Sequence, residues 1–148
     1  ELHVHYARGC SMAEAYYQAI AAPFQMLIVG DPLCQPWGRP PEVRVTGLPV
    51  GPLAKQIELA PEAQFDDQRD VQRFELFVDG KRVGSCNKGG TLPLATEDFA
   101  DGWHDVCVVA IDNTPIEVQG RWAKSLQFKN GRDAIQLSSP GGSRLKFG

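Results

Sequence analysis

Residues 74–83 read FELFVDGKRV. Apolar and polar residues alternate up to Val78, Asp79-Gly80 supplies two residues suited to positive φ, and a second strand-like run follows. This is the composition of a β-hairpin closed by a two-residue type I′ turn. Pairing across Asp79-Gly80 sets Leu76 against Val83 on one face, with Phe74 and Val78, and puts Arg73, Glu75, Phe77 and Arg82 on the other. Side chains alternate with a period of two, so the first set is the expected core face.

The register extends to residues 101–112, DGWHDVCVVAID. One face carries Val106, Val108 and Ala110; the other carries Trp103, Cys107, Val109 and Ile111. A strand that is apolar on both faces is covered on both. Phe77, Val109 and Ile111 are therefore expected to form an apolar patch on the outside of the sheet, covered by the N-terminal segment or by a further domain. The same register puts Cys86 and Cys107 on that outer face, about 9–10 Å apart at two strand spacings. That is too far for a disulfide.

Further strands are expected at 43–48, 56–59, 91–95 and 116–128, the last bulged at Gly120. Residues 61–70, PEAQFDDQRD, read as an acidic loop, 87–90 as a turn and 96–102 as a polar loop. Many short strands with turn signals between them give a mainly β fold, an immunoglobulin-like antiparallel β-sandwich over 42–128. Residues 134–137 and 144–147 are strand-like as well, so 129–148 are extra strands or the start of a following domain.

The first 34 residues have a different pattern. Residues 3–6 read as a short strand. Ser11-Met12-Ala13-Glu14 has the form of a capping box, in which hydroxyl and acid satisfy free N–H groups at a helix start. Met12, Ala15, Tyr16, Ala19 and Ile20 follow at helical spacing, Pro23 ends the helix, and 24–29 is a continuous apolar run. Residues 1–34 are thus expected to be the C-terminal remnant of an upstream α/β domain, too small to fold alone. Residues 30–41, GDPLCQPWGRPP, hold four prolines and two glycines, and 35–41 form a semi-rigid linker.

The bulk numbers exclude more than they assign. A chain of 148 residues and 16.2 kDa makes one ordinary domain or slightly more. A net charge of −3 and pI near 5.6, with scattered lysines and arginines, give no footprint for nucleic acid or anionic membrane. No apolar run approaches the ~18 residues of a membrane helix. Glu1 is not a Met, and both ends read as cuts inside a longer polypeptide, with any targeting segment upstream. Four cysteines, Cys10, Cys34, Cys86 and Cys107, include no CxxC pair.

Four constellations could carry chemistry. His3 and His5 on a strand, with Cys10, suggest metal ligands, but spacing places no fourth ligand. Cys10, just before a helix N-terminus where a thiol pKa falls, or Cys34, could pair with a histidine as nucleophile, but no base or oxyanion pattern accompanies either. Glu62, Asp66, Asp67 and Asp70 could hold calcium, though their spacing does not fit an EF-hand. Trp37, Trp103 and Trp122 could form a sugar-stacking platform; the plainer expectation packs Trp103 in the core or at an edge and wedges Trp37 between segments. Gly89-Gly90 and Gly141-Gly142 are turn glycines without a phosphate-loop pattern. The structural reading outweighs the functional one in each case. No catalytic residue, metal or cofactor is assigned, and the binding residues stay open. The expected partner is the neighbouring domain of the same polypeptide, with no nucleic acid and no membrane insertion, and the oligomeric state is open.

RGCSMAEAYYQAI, then FQMLIVGDPLC, then a Pro-rich joint into a sandwich resembles the end of the catalytic domain of gingipain-like cysteine peptidases, which have a caspase-like α/β fold. Glu14-Ala15 and Gly30-Asp31-Pro32-Leu33 carry the match. Residues 3–37, with VDGKRVG and DNTPIEVQGR in the sandwich, look still more like a group of secreted planctomycete proteins with a similar joint. The resemblance implies a secreted or cell-envelope parent and an Ig-like module directly after the α/β domain. It puts the peptidase dyad upstream of this chain, and Cys10 does not align with the nucleophile. The expected function is that of a non-catalytic Ig-like structural or interaction module. The alternatives are a carbohydrate- or peptide-binding module, or a cysteine-peptidase fragment lacking its catalytic residues.

Overall fold

The computed structural model describes residues 1–22, 27 and 29–131. Two helices come first, α1 (Leu2–Ala7) and α2 (Met12–Ala19). The strands are β1 (Glu42–Thr46), β2 (Gln56–Gln64), β3 (Val71–Val78), β4 (Lys81–Asn87), β5 (Leu92–Ala95), β6 (Gly102–Asp112) and β7 (Gln119–Phe128). They form two antiparallel sheets, β1-β2-β5 and β4-β3-β6-β7. The core between them takes Leu59, Leu92 and Leu94 from one sheet and Phe74, Leu76, Val78, Val106, Val108 and Phe128 from the other. Each is essentially sealed from solvent, and burying a side chain of this size contributes about 1.5–3 kcal/mol.

Asp79 and Gly80 take φ of 50° and 77° and close the hairpin as the residue types demand. Lys81 and Arg82 pair with Val78 and Phe77, but the ladder then slips, and Leu76 faces Gly84 rather than Val83. Val83 is the extra residue of a bulge and is 39% exposed, so it leaves the expected core set. The slip turns the rest of β4 over. Cys86 lands opposite Phe74 and packs against the core, not on the outer face. Cys107, opposite Phe77, does lie outward. The two thiols therefore stand on opposite faces of the sheet, and all four cysteines are free.

On β6, Val106, Val108 and Ala110 are fully buried in the core, and Val109 and Ile111 are buried on the opposite face. Of the expected outer patch, Val109 and Ile111 are thus covered within this chain, while Phe77 stays half-buried. Val109 lies between Glu75 and Arg121, and Ile111 between Arg73 and Gln119. Arg73 pairs with Glu75 and Glu117, and Arg82 with Glu75. Long charged side chains of this kind cover apolar surface with their stems. Trp103, expected to pack in the core or at an edge, is 71% exposed near the start of β6.

The acidic loop begins later than expected, because β2 runs on through Pro61 to Gln64 and pairs there with β1. Thr46 donates from its hydroxyl to the Ala60 carbonyl on the β1 side, so Pro61, one residue on, directs its donorless nitrogen to the opposite edge. There the β5 ladder ends, at Leu59 opposite Leu92. Pro93 pairs with Glu58 between the two bonded positions of β5, so its nitrogen faces that strand's free edge. Proline is tolerated at such edge positions because no ladder bond is lost.

β7 begins at Gln119, not 116, and pairs with β6 without a register shift, so Gly120 is not a bulge. A Cβ at Gly120 would collide with the carbonyl oxygen and ring of Pro41. The glycine therefore lets the linker lie against β7.

The capping box forms as read: Glu14 N–H donates to Ser11 Oγ at 3.3 Å, and Ser11 N–H to Glu14 Oε2 at 2.7 Å. The strand expected at 3–6 is helix α1 instead. Leu2 and Tyr6, four apart and hence on one helix face, line a small cavity with Met12, Ala15 and Tyr16 of α2. The strand expected at 24–29 falls mostly outside the described residues, and those at 134–137 and 144–147 lie wholly outside them.

Candidate functional site

The densest polar arrangement sits where the linker meets one end of the sandwich. Asp112, the last residue of β6, is 0% exposed. Its Oδ1 accepts from the N–H and hydroxyl of Thr114, at 3.1 and 2.8 Å, and from the N–H of Val118 at 3.2 Å. Its Oδ2 accepts from Arg69 Nη1 at 3.2 Å. The acid thereby shapes the β6–β7 loop and anchors an arginine from the β2–β3 loop.

Arg69 uses all three of its nitrogens. Nε donates to both oxygens of Asp67 at 2.9 Å, and Nη2 donates to the linker carbonyl of Arg39 at 2.7 Å. The guanidinium also lies 5.0 Å from the Phe65 ring centroid, a cation–π contact. The Arg69 side chain, and then its backbone N–H, hold the Asp67 carboxyl below the ordinary 3.8. Linker, β2–β3 loop and β6–β7 loop thus meet at one guanidinium.

Around this hub is a cleft of about 580 Å³. Its walls include His5, Arg8 and Trp37 from the N-terminal side and Pro115 and Ile116 from the sandwich side. Trp37 meets Tyr6 edge to face, with centroids 4.8 Å apart, and stays 54% exposed.

The sequence candidates scatter. His3 and His5 lie two apart on α1, on different helix faces, and no cluster of three metal-ligating side chains occurs among the described residues. Cys10 is buried, with Gln18 Nε2 3.7 Å from its sulfur. Burial pushes its thiol pKa up, opposite to the lowering expected before a helix. Cys34 accepts a hydrogen bond from the Tyr6 hydroxyl at 3.4 Å. Of the acids, Asp67 is taken by Arg69 and Asp70 by Lys88, at 2.8 Å, while Glu62 lies opposite Arg44 on β1. Trp122 packs against the core, so the three tryptophans form no shared platform. Arg69 and Asp112 were not singled out from the sequence. The signal was Asp112-Asn113-Thr114, an acid two residues before a hydroxyl, as in an Asx-turn.

A second, half-buried polar group lies elsewhere on the sandwich. His104 Nδ1 is 2.6 Å from Asp79 Oδ2 and its Nε2 is 2.8 Å from the Ala100 carbonyl. The ring stacks on Phe128 at 4.5 Å. Both ring nitrogens face acceptors, which suits the doubly protonated form. Burial pulls its pKa down, but Asp79 and the carbonyl outweigh it, and the pKa ends above 6.5. The hydrogen bond to His104 in turn lowers Asp79 below 3.8. A raised histidine stabilises the fold fully below 6.5 and ceases to as pH rises through its folded pKa. A lowered aspartate stabilises above 3.8 and ceases to as pH falls through its folded pKa. Melting curves should therefore show stability falling from pH 6 to pH 8.5, and His104→Gln should flatten that slope. An unchanged slope in the variant would assign the loss to other groups.

No protein-family model matches the chain, and no curated protein matches it. Among solved structures it is similar to the fibronectin(III)-like modules of Clostridium thermocellum CbhA, with a TM-score of 0.50 and 19% identity over 62% of this chain and 100% of that one. The two-sheet topology and this likeness define the class: the chain is an immunoglobulin-like β-sandwich. In particular it is similar to the fibronectin(III)-like form, with β4 in the sheet of β3, β6 and β7.

Proposed function

We propose that this chain is a non-catalytic structural and interaction module of a larger secreted protein, whose sandwich is held rigidly on the segment before it. One observation carries the reading: the Arg39 carbonyl is bound by Arg69, which is itself fixed by Asp67 and the buried Asp112. The seating of Pro41 on Gly120 supports it. So does the cavity that Ser11, Glu14 and Leu33 share with Gln119 and Arg121, which brings the N-terminal segment beside the outer sheet face. Semi-rigid prolines hold an orientation only if something at their end receives them. The resemblance of residues 1–34 to the end of a gingipain-like α/β domain supports an upstream domain as what is held. Among the described residues no helix is long and apolar enough to cross a membrane.

Gly120→Ala tests the joint. The new methyl group meets backbone and proline ring, so the linker must lift. Hydrogen exchange over residues 35–41 should quicken by about tenfold or more, as loss of a contact worth ~1.4 kcal/mol implies. The core strands should keep their protection. Equal exchange over 35–41 in both proteins would show that the linker is not seated, and the rigid-joint reading would fail.

A further inference from the structure

At the joint, Arg69, Asp67 and Asp112 satisfy one another, and the remaining charged groups of the cleft have one sign. Arg8, just after α1, and Arg39, in the linker, both line it. Neither makes a salt bridge among the described residues. Even with Asp112 counted behind Arg69, three arginines face two aspartates, so the wall keeps a positive surplus in a chain of net charge −3. Trp37 offers an exposed aromatic surface, fixed by Tyr6 on one side. About 580 Å³ lies within the range of ~300–1,000 Å³ typical of small-ligand sites.

We infer that this cleft binds an acidic carbohydrate, taking a uronate carboxylate on Arg8 and Arg39 and the flat C–H face of the sugar on Trp37. Guanidinium groups pair with carboxylates through two parallel hydrogen bonds. An extended peptide would be expected to add to a free strand edge, but no strand residue lines this cleft. A phosphate would be expected at helix N-terminal amides. Here α1 contributes His5 and Ala7 and α2 contributes Gln18, all near helix C-terminal ends, so the arginines must meet the anion. The site exists only if linker and sandwich are joined, and so it rests on the rigid-joint reading.

The test is calorimetric titration of the intact chain with trigalacturonate, with the same trisaccharide reduced at its carboxyls, and with hexaglutamate. Trigalacturonate should bind and weaken with added salt. Carboxyl reduction and Arg39→Gln should each weaken binding by about tenfold or more, since a charge-assisted hydrogen bond contributes about 1.5–3 kcal/mol. Trp37→Ala should weaken it by removing the stacked face. Equal binding of the reduced sugar, or no binding at millimolar concentration, overturns the inference. Tighter binding of hexaglutamate replaces the sugar with an acidic peptide. Hydrogen exchange over 35–41 on the same sample separates the two readings. A protected linker without binding overturns this inference alone, whereas an unprotected linker without binding overturns both.

Discussion

Arg69→Ala is expected to destabilise the protein by about 3–5 kcal/mol, the usual cost of removing one partner from a buried ion pair. The substitution strands a carboxylate with no exposure. Asp112 keeps its bonds to Thr114 and Val118 but loses its only cationic partner among the described residues. At roughly 2–4 °C per kcal/mol for a chain near 150 residues, the melting temperature falls by about 6–20 °C. A double variant, Arg69→Met with Asp112→Asn, should recover part of this, because it removes the stranded charge while the amide oxygen can still accept from Thr114 and Val118. The double variant should still fail to hold the linker, since no donor remains for the Arg39 carbonyl. Calorimetry reads the first effect and hydrogen exchange over 35–41 the second. A loss below about 1 kcal/mol in Arg69→Ala would show that water, not the guanidinium, satisfies Asp112.

Phe74→Ala should cost about 3–5 kcal/mol, as truncation of a buried phenylalanine does. Phe77→Ala, three residues on and on the other face of the same strand, should cost about 0.8–1.5 kcal/mol, half the burial value of a full phenylalanine. The comparison holds residue type and strand constant and changes only the face. Phe74 is 1% exposed among the core residues, whereas Phe77 is half-buried beside Cys107. Urea denaturation of both variants measures the difference. Equal losses would mean that the outer face is packed as tightly as the core.

Where local chemistry dictated backbone, the fold was legible in the sequence. Asp79-Gly80 names its own turn because few other residues tolerate two successive positive φ angles, and Ser11 with Glu14 names a helix start. The two apolar faces of β6 were equally clear. The misreadings came where tertiary contacts overrode local pattern. His3-Val4-His5 alternates like a strand, but Leu2 and Tyr6 share a cavity with α2, and helix wins. Pro61 looks like a stop, yet its missing donor points to the edge away from β1, so β2 continues. The bulge at Val83 leaves no mark in composition, and it reverses the facing of Cys86. The candidate site was legible least of all. Its parts come from a linker, two loops and a strand end, far apart in sequence. The sequence pattern marks Trp37 as a wedge and His5 and Asp67 as candidate metal ligands, and it singles out neither Arg69 nor Asp112.

The prolines of the smaller sheet have a consequence at high concentration. Pro61 and Pro93 leave gaps in the donor row along the two stretches of edge that β5 does not cover or that it creates. A second copy approaching there finds acceptors without matching donors, and lateral growth of the sheet from one molecule to the next is discouraged. Copies can then be crowded together without fusing edge to edge.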